Sequence, residues 1–420
     1  MKKMLCILLI AVLMLSSTAC TVGGGKATKK LIILTASDGE EGNKVVSPYI
    51  PGYQKKTGIE ISFTEMAMDA LHTKLSTLFA ANATDVDIIW SWAATTAEYA
   101  SAGHLQDITD KLKKDEWSKY VPGALSSIAF NGRYYGLPKF HSVRSFYYNQ
   151  ALFDKAGIKT PPTNWDELIA CAKATTNPAD DEYGLLFGLG SNNNFSIAFQ
   201  EMLVLTNGQI ADDKNTITFN NEAGVEALER IVELAKLGVI DPASYGINSG
   251  PVKRERWIKG KDAMTWEWAA TYKVSNDPAT SKIVGKCIPI VIPAIKTSGA
   301  ITGPEGYVIS KYSKNIDASL ELLKYFASAD IQKQMTLKTG WYPVVNSVFE
   351  DKEVLAMSPL FGIAAQQSKF PTMRFAAPYS TELENAMGPE ILLAIQGKKS
   401  AKQALDDAAK KAEPIVAPFR

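Results

Sequence analysis

The chain has 420 residues, a formal net charge of +1 at pH 7 and a hydrophobic content of 46%. This length is typical of about two domains, and the apolar content is sufficient for sizeable cores. A charge this close to zero provides no basic field, so we expect no nucleic-acid partner.

The first residues predict an export signal rather than part of the fold. Lys2 and Lys3 precede an uncharged apolar run over residues 5–15, and small residues follow over 16–19. This order is typical of a secretory signal peptide, here residues 1–19. The apolar run is shorter than the roughly 20 residues that span a bilayer, which argues against a retained membrane helix.

Cys20 follows the small residues directly, and this arrangement resembles a bacterial lipobox. Ser17 departs from that pattern, because an apolar residue is usual three places before the cysteine. We expect Cys20 to be lipidated and residues 20–29 to form a flexible tether. The protein would then be exported and anchored on the outer face of the cytoplasmic membrane or in a periplasm. The alternative is an ordinary signal peptide with an incidental cysteine.

Two cysteines, Cys171 and Cys287, remain in the body of the chain, and both lie in apolar segments. Their spacing fits no recognised disulfide or metal-binding pattern. Buried free thiols are therefore the preferred interpretation, although an exported protein permits a disulfide between them.

The first part of the chain alternates between strand and helix patterns. Short apolar or alternating runs predict strands at 31–34, 59–63 and 86–90. A helix is expected to end at Gly58, and a second helix covers 72–83. Strands separated by helices predict a largely parallel sheet covered by helices, which is an α/β fold.

The same alternation continues to the C-terminus. Further strands are predicted at 145–148, 183–189, 287–292 and 306–309, and further helices at 164–176, 220–237 and 400–412. The helix at 220–237 is strongly amphipathic, opens with asparagine capping residues and ends at Gly238. Asn131-Gly132 predicts a tight turn.

Several separated segments together resemble the family 1 extracellular solute-binding proteins of ABC importers, the group that contains the maltodextrin-binding proteins. They follow the family's order and spacing and lie at 131–138 (NGRYYGLP), 147–153 (YYNQALF), 156–157 (AG), 161–168 (PPTNWDEL), 260–268 (GKDAMTWEW), 306–310 (GYVIS), 313–315 (SKN) and 339–343 (TGWYP). No single segment is decisive, but the ordered set is specific and extends over most of the chain.

The resemblance implies a two-lobed periplasmic-binding-protein fold, with a hinge and a ligand cleft between α/β lobes. Lobe 1 would contain 30–139 plus 300–342, and lobe 2 would contain 140–299 plus 343–420. The chain would cross between the lobes near 138–141, 293–303 and 340–345. A few crossing residues can absorb the dihedral changes of hinge closure.

The expected ligand is a sugar, because tryptophans cluster where loops should meet this cleft. Sugars present flat C–H faces and a ring of hydroxyls, which require aromatic platforms with polar partners around them. Trp92 follows a predicted strand, at the end where ligands of α/β folds bind. Trp266 and Trp268 would share one face of an extended segment, with Trp268 preferred. Trp341 follows a glycine near a predicted crossing. Each of these residues also has a simple packing interpretation.

Polar ligand-binding candidates are chosen by their positions in loops or at crossings: Asp38, His141, Glu305, Arg374 and Tyr379. Asp38 is the family-typical position after the first strand, and a helix cap is its equally weighted alternative. No metal site and no cofactor are expected, because three histidines and two body cysteines give a zinc site little to draw on.

Two rival functions stay open. An exported carbohydrate-active enzyme would need two carboxylates in a catalytic context, and the chain contains no zinc-protease, nucleophile-elbow or phosphate-loop motif. The same fold could instead bind iron, an anion or a polyamine, but the tyrosines in each of two adjacent pairs point to opposite strand faces. We therefore predict a monomeric binding component, without turnover, that delivers a mono- or oligosaccharide to ABC permease membrane subunits.

Overall fold

The computed structural model describes residues 30–36 and 45–420. Cys20, Asp38, the expected signal peptide and the expected tether lie outside the described residues. The strands are β1 (Lys30–Ala36), β2 (Glu60–Met66), β3 (Ile88–Trp92), β4 (Ala129–Phe130), β5 (Arg133–Tyr134), β6 (Gly136–Phe140), β7 (Ser145–Asn149), β8 (Tyr183–Leu186), β9 (Asp262–Glu267), β10 (Cys287–Ile290), β11 (Ala300–Ile301), β12 (Glu305–Ile309) and β13 (Thr372–Met373).

The helices cover much of the remaining chain. They are α1 (Ile50–Thr57), α2 (Met68–Ala80), α3 (Ala93–Ser101), α4 (Lys114–Trp117), α5 (Pro122–Leu125), α6 (Gln150–Lys155), α7 (Trp165–Thr175), α8 (Asn192–Leu205), α9 (Glu222–Lys236), α10 (Gly250–Trp257), α11 (Ala270–Ser275), α12 (Ile316–Phe326), α13 (Ala329–Thr339), α14 (Asn346–Phe349), α15 (Lys352–Met357), α16 (Leu360–Gln367), α17 (Ser380–Ile395) and α18 (Ala401–Val416).

The first sheet has the strand order β2-β1-β3-β12-β6. The predicted parallel pairing of the first three strands is confirmed, since β1 pairs in parallel with both β2 and β3. β12 runs antiparallel to β3 and to β6. Gly136 permits the last pairing, because a Cβ at this position would lie 1.8 Å from the carbonyl oxygen of Tyr307.

The second sheet has the strand order β10-β7-β9-β8. β7 is antiparallel to β9 and to β10, whereas β8 is parallel to β9. The mixed α/β architecture predicted from the alternating pattern is confirmed. Helices α17 and α18 pack against α8 and α9 beside this second sheet.

The helix boundaries follow the capping chemistry expected from the sequence. The side chains of Asn164 and Asn221 accept hydrogen bonds from backbone N–H groups in the first turns of α7 and α9. α13 ends at Gly340, which has a positive φ of 83° that glycine adopts without strain. The turn at Asn131-Gly132 joins β4 to β5, and both turn residues have positive φ, as a type I′ hairpin requires.

Two hydrophobic cores accompany the two sheets. The first includes Ile33, Ile89 and Val308 with the side chains of Val344 and Phe361, and the second includes the apolar side chains of α8, α9, α17 and α18. The lobe boundaries given above stay a prediction. Cys171 and Cys287 are buried, and neither forms a disulfide with another described residue.

Candidate ligand-binding cleft

The candidate site lies where one edge of each sheet meets the other. In the first sheet, β1, β3 and β6 all end at the same edge, and the antiparallel β12 begins there with Glu305. In the second sheet, β8 and β9 end at one edge, and the antiparallel β7 begins there. Only residues 141–144 join the end of β6 to the start of β7. This short connection makes the two edges face one another.

Trp92 is the last residue of β3, and its ring is covered by Arg374. The central guanidinium carbon of Arg374 lies 4.5 Å from the centre of the Trp92 ring. Arg374 directly follows β13, which pairs with β11, and the next residue, Phe375, donates its backbone N–H to Gln200 on α8. The contact therefore joins the end of the first sheet to a segment that is bound to α8, beside the second sheet.

Trp268 occupies the corresponding position after β9 in the second sheet and is 8% exposed. The guanidinium carbon of Arg144 lies 4.6 Å from its ring centre, and Arg144 also forms an ion pair with Glu201 on α8. Trp92 and Trp268 thus present the same arrangement, an indole with a guanidinium group on one face.

The segment from Gly303 to Glu305 brings the two tryptophans close together. A Cβ at Gly303 would lie 2.6 Å from Cη2 of Trp268, and Glu305 is the strand partner of Trp92. The Oε2 atom of Glu305 accepts hydrogen bonds from Nε1 of Trp90 at 2.6 Å and from Nζ of Lys139 at 3.0 Å. Glu305 is therefore fixed at the edge of the first sheet by two donors.

Trp341 and His141 lie at the same edge but face protein neighbours. The ring of Trp341 stacks on Phe140 at 4.3 Å, and its side chain is 2% exposed. The backbone N–H of His141 donates to the carbonyl of Tyr342, and its ring lies near those of Tyr342 and Phe349. Burial lowers the pKa of His141 to about 4. The imidazole is therefore neutral at pH 7 and contributes no charge to the site.

The structure places Trp266 and Tyr379 away from this group, inside the second core. The ring of Trp266 packs between Phe146 and Phe187 and is 1% exposed. The hydroxyl of Tyr379 donates to Asn215 at 2.7 Å. β9 is buried on both faces, so Trp266 contributes to packing, and its role as a ligand contact stays a prediction. We assign both residues to the core.

Several charged side chains near the two tryptophans were not predicted from the sequence. Arg144 and Glu201 form one pair, and Glu384 accepts a hydrogen bond from Asn193 at 2.8 Å. Burial raises the pKa of Glu384, and the positive charge of Arg374 opposes this effect. Two sequence signals could have revealed part of this group: Glu201 lies in the apolar helix FSIAFQEMLVL, and Lys139 lies in the buried strand GLPKF. A charge in such a segment needs a partner.

Lys253 lies on α10 and is buried beside the second sheet. Its Nζ atom donates to the carbonyl of Trp266 at 2.6 Å, and the side chain shares a small cavity of about 20 Å³ with Arg144 and Glu201. Burial lowers the pKa of Lys253 to about 8. Its ammonium group is therefore mostly charged at neutral pH.

A second cavity of about 520 Å³ lies between α11 and the residues near the end of α13. Tyr272, Lys273, Lys338 and Phe361 are among its lining residues, together with Gly340. None of the tryptophans proposed from the sequence lines it. It adjoins the Trp268 and Trp341 positions through the chain neighbours Ala269 and Gly340.

Two negative findings apply to residues 30–36 and 45–420. No group of three or more histidine, cysteine, aspartate or glutamate side chains there is arranged to hold a metal ion. None of the helices in these ranges combines the length and apolar character that crossing a membrane requires.

Comparison with known proteins gives consistent relatives. The chain is 25% identical over 323 residues to the Deinococcus radiodurans protein named "Probable ABC transporter-binding protein", covering 74% of this chain and 75% of the relative. It is 25% identical over 340 residues to the diacetylchitobiose binding protein DasA of Streptomyces coelicolor, covering 80% and 76%. The structure is similar to maltose-bound T. maritima MalE3, with a TM-score of 0.82, 23% identity, and coverage of 94% of this chain and 100% of that one.

The fold of that structure agrees with the two facing sheets described above. A sequence profile matches residues 36–333, which is well over half of the chain. The chain therefore belongs to the bacterial extracellular solute-binding protein family.

Proposed function

We propose that this protein is the extracytoplasmic substrate-binding component of an ABC importer, and that it reversibly binds a mono- or oligosaccharide without turnover. The observation that carries the proposal is the pairing of Trp92 and Trp268 at facing edges of the two sheets, each with a guanidinium group beside its ring. Indole faces with charged hydrogen-bonding groups around them suit the alternating C–H faces and hydroxyls of a sugar. The sugars named for two of the relatives agree with this assignment.

The same proposal includes the cell-surface arrangement. Residues 1–19 would be removed on export, and a lipid on Cys20 would hold the body at the membrane through residues 20–29. The monomeric protein would then close around its ligand and dock on the permease membrane subunits. Trp92, Trp268, Glu305 and Arg374 would form the ligand-binding group, with Trp341 and His141 supporting it and Asp38 contributing from the first-strand loop.

The test is ligand-induced change in tryptophan emission and melting temperature of the purified protein. The panel should include maltose, diacetylchitobiose, simple hexoses and amino acids as non-sugar solutes. At a ligand concentration of 100 times Kd, binding to the folded state alone adds about 2.7 kcal/mol to the free energy of unfolding. Stabilisation by amino acids and by no sugar would refute the sugar assignment.

Two variants connect this response to the cleft. Trp92→Ala and Trp268→Ala should each weaken binding by about 5- to 30-fold, because a stacked ring face contributes on the order of 1–2 kcal/mol. Trp165→Phe is the matched control, since Trp165 lies on α7 and its Nε1 donates to Glu233, remote from the sheet edges. Chromatography of the recovered sugar tests turnover, and release of shorter products would favour an enzyme.

A further inference from the structure

Arg374 is partly buried at the cleft, and it differs from the more fully buried cations there in the groups that face its guanidinium. Lys139 pairs with Glu305, Arg144 pairs with Glu201, and Lys253 donates to a carbonyl. Arg374 has no carboxylate oxygen within 4.0 Å in the part of the chain that the structure describes. Its contact there is the face of Trp92.

The surroundings leave this charge incompletely compensated. The Nε atom of Arg374 is buried and has no hydrogen-bond partner among the described residues. Burial lowers the pKa of Arg374. The negative charges of Glu384 and Glu201 raise this pKa, but by less than burial lowers it. Glu384 accepts a hydrogen bond from Asn193, and Arg144 adds a second positive charge near Arg374. The buried Nε atom of Arg374 therefore has no acceptor among the described residues, and we expect a ligand group to supply one.

The guanidinium group of Arg374 lies over the ring of Trp92. A guanidinium group that stacks on an aromatic face keeps the parallel N–H donors along its edge available to a ligand. A planar carboxylate matches this edge with two parallel charge-assisted hydrogen bonds, whereas a sugar hydroxyl offers a single neutral acceptor. The arrangement therefore favours an anionic group on the ligand over an additional hydroxyl.

We propose that the ligand is an acidic saccharide, a hexuronate or an oligomer containing one, and that Arg374 binds its carboxylate. The inference rests on the proposed function, because it places a sugar between Trp92 and Trp268. The sugar ring meets the indole faces, and the carboxylate meets the stacked guanidinium edge.

The experiment compares acidic sugars with their neutral counterparts by isothermal titration calorimetry. The probes are D-galacturonate and its trimer against D-galactose and a galactose trimer, and D-glucuronate against D-glucose. We expect at least one acidic probe to bind 10-fold or more tightly than its neutral counterpart, with affinity falling as salt rises from 50 to 500 mM. Equal or tighter binding of every neutral counterpart overturns the proposal.

Variants assign the effect to Arg374. Arg374→Gln should weaken binding of the acidic probe by 30-fold or more, and this loss should be at least 10-fold larger than the loss for the neutral counterpart. Arg374→Lys, which keeps the charge but not the parallel donors, should give an intermediate loss. Arg230→Gln is the matched control, because Arg230 pairs with Glu226 on the surface of α9. Unchanged melting temperatures establish that the variants are folded.

The outcomes separate this inference from the proposed function. Neutral sugars that bind while all acidic probes fail overturn the carboxylate assignment and leave sugar binding intact. Equal weakening of acidic and neutral probes by Arg374→Gln also overturns the carboxylate assignment, because Arg374 would then support the structure of the cleft without binding the carboxylate. Binding of non-sugar solutes alone overturns both proposals.

Discussion

Lys139 and Glu305 form an ion pair with an Nζ–Oε2 distance of 3.0 Å, and the lysine side chain is fully buried. Lys139 lies on β6 and Glu305 on the neighbouring β12, so the pair joins two strands at the edge that holds Trp92. The same carboxylate oxygen accepts the indole N–H of Trp90. One buried carboxylate thereby satisfies a cation and a neutral donor, and the three side chains depend on one another.

This dependence predicts unequal effects of single and double substitutions. Lys139→Met should lower the free energy of unfolding by about 3–5 kcal/mol, because it leaves the Glu305 carboxylate buried without its cation. The double variant Lys139→Met/Glu305→Gln should recover at least about half of that loss, since the amide oxygen still accepts from Trp90 and carries no charge. Urea denaturation at pH 7 measures both values. A double variant as unstable as the single one would show that packing, rather than charge, decides the effect.

Gly303 gives a second prediction, which concerns the position of Trp268. Gly303→Ala should displace the indole, because the new Cβ would lie 2.6 Å from Cη2 of the ring, which is too close for two carbon atoms unless one of them moves. We expect a loss of stability of about 1–3 kcal/mol and a ligand affinity lowered by 10-fold or more. Gly246→Ala is the control, because a Cβ at Gly246 would have no atom within 4 Å. If Gly303→Ala binds the ligand with the affinity of the parent, the position of the Trp268 ring does not determine binding.

Much of the architecture could be predicted because it depends on short-range chemistry. The helix ends at Gly58 and Gly340, and the caps at Asn164 and Asn221, follow from local backbone preferences alone. The apolar runs of β1 and β3 identified the parallel strands, since buried parallel strands are continuously apolar. Trp92 could be placed at the carboxyl end of the first sheet because it ends such a strand.

The partners of the cleft tryptophans could not be predicted because they come from distant parts of the chain. Arg374 reaches Trp92 only because β13 pairs with β11, and these two strands are two residues each. Glu201 meets Arg144 only when α8 packs beside the second sheet. Trp266 and Trp268 were predicted to share one strand face, with Trp268 preferred. Trp266 lies in a strand whose two faces are both buried, and Trp268 lies just beyond it.

Asp262 provides a pH-dependent prediction far from any expected ligand contact. It is fully buried at the start of β9, with Arg256 Nε at 3.5 Å and the carboxylates of Asp241 and Asp181 in the same group. Burial raises the pKa of Asp262 well above its usual value, and the negative charge of Asp241 adds to the effect. The folded state therefore holds this proton more tightly than the unfolded state, and stability is lost as pH rises above about 4.

Asp262→Asn should remove this loss. At pH 8 the variant should be more stable than the parent by at least about 1 kcal/mol, the energy of roughly one pKa unit, and its stability should vary less between pH 5 and 8. Asp181→Asn is the control within the same cluster, because hydrogen bonding to Arg256 lowers the pKa of the exposed Asp181 and the sign is reversed. Urea denaturation across this range measures the slopes, and a steeper slope in Asp262→Asn would contradict the assignment.

His141 should make the chain sensitive to acid through the crossing between the two sheets. Burial lowers its pKa to about 4, below the value of about 6.5 in an unfolded chain. The folded state therefore binds fewer protons between these values, so the contribution is fully present above pH 6.5 and is lost as pH falls towards 4. The expected loss over this interval is on the order of 3 kcal/mol.

The neighbours of the His141 ring explain why its protonated form is unfavourable, and they indicate the variant that tests this explanation. Tyr342 and Phe349 flank the imidazole, a Cβ at Gly123 would lie 2.8 Å from its Cε1, and its Nδ1 has no hydrogen-bond partner within the described ranges. His141→Phe keeps a ring in this apolar site and cannot be protonated, so its stability should fall less than that of the parent between pH 6.5 and 4. His72→Gln, which removes a more exposed histidine paired with Glu98, is the comparison variant. Parallel profiles for the parent and His141→Phe would place the acid sensitivity in groups other than His141.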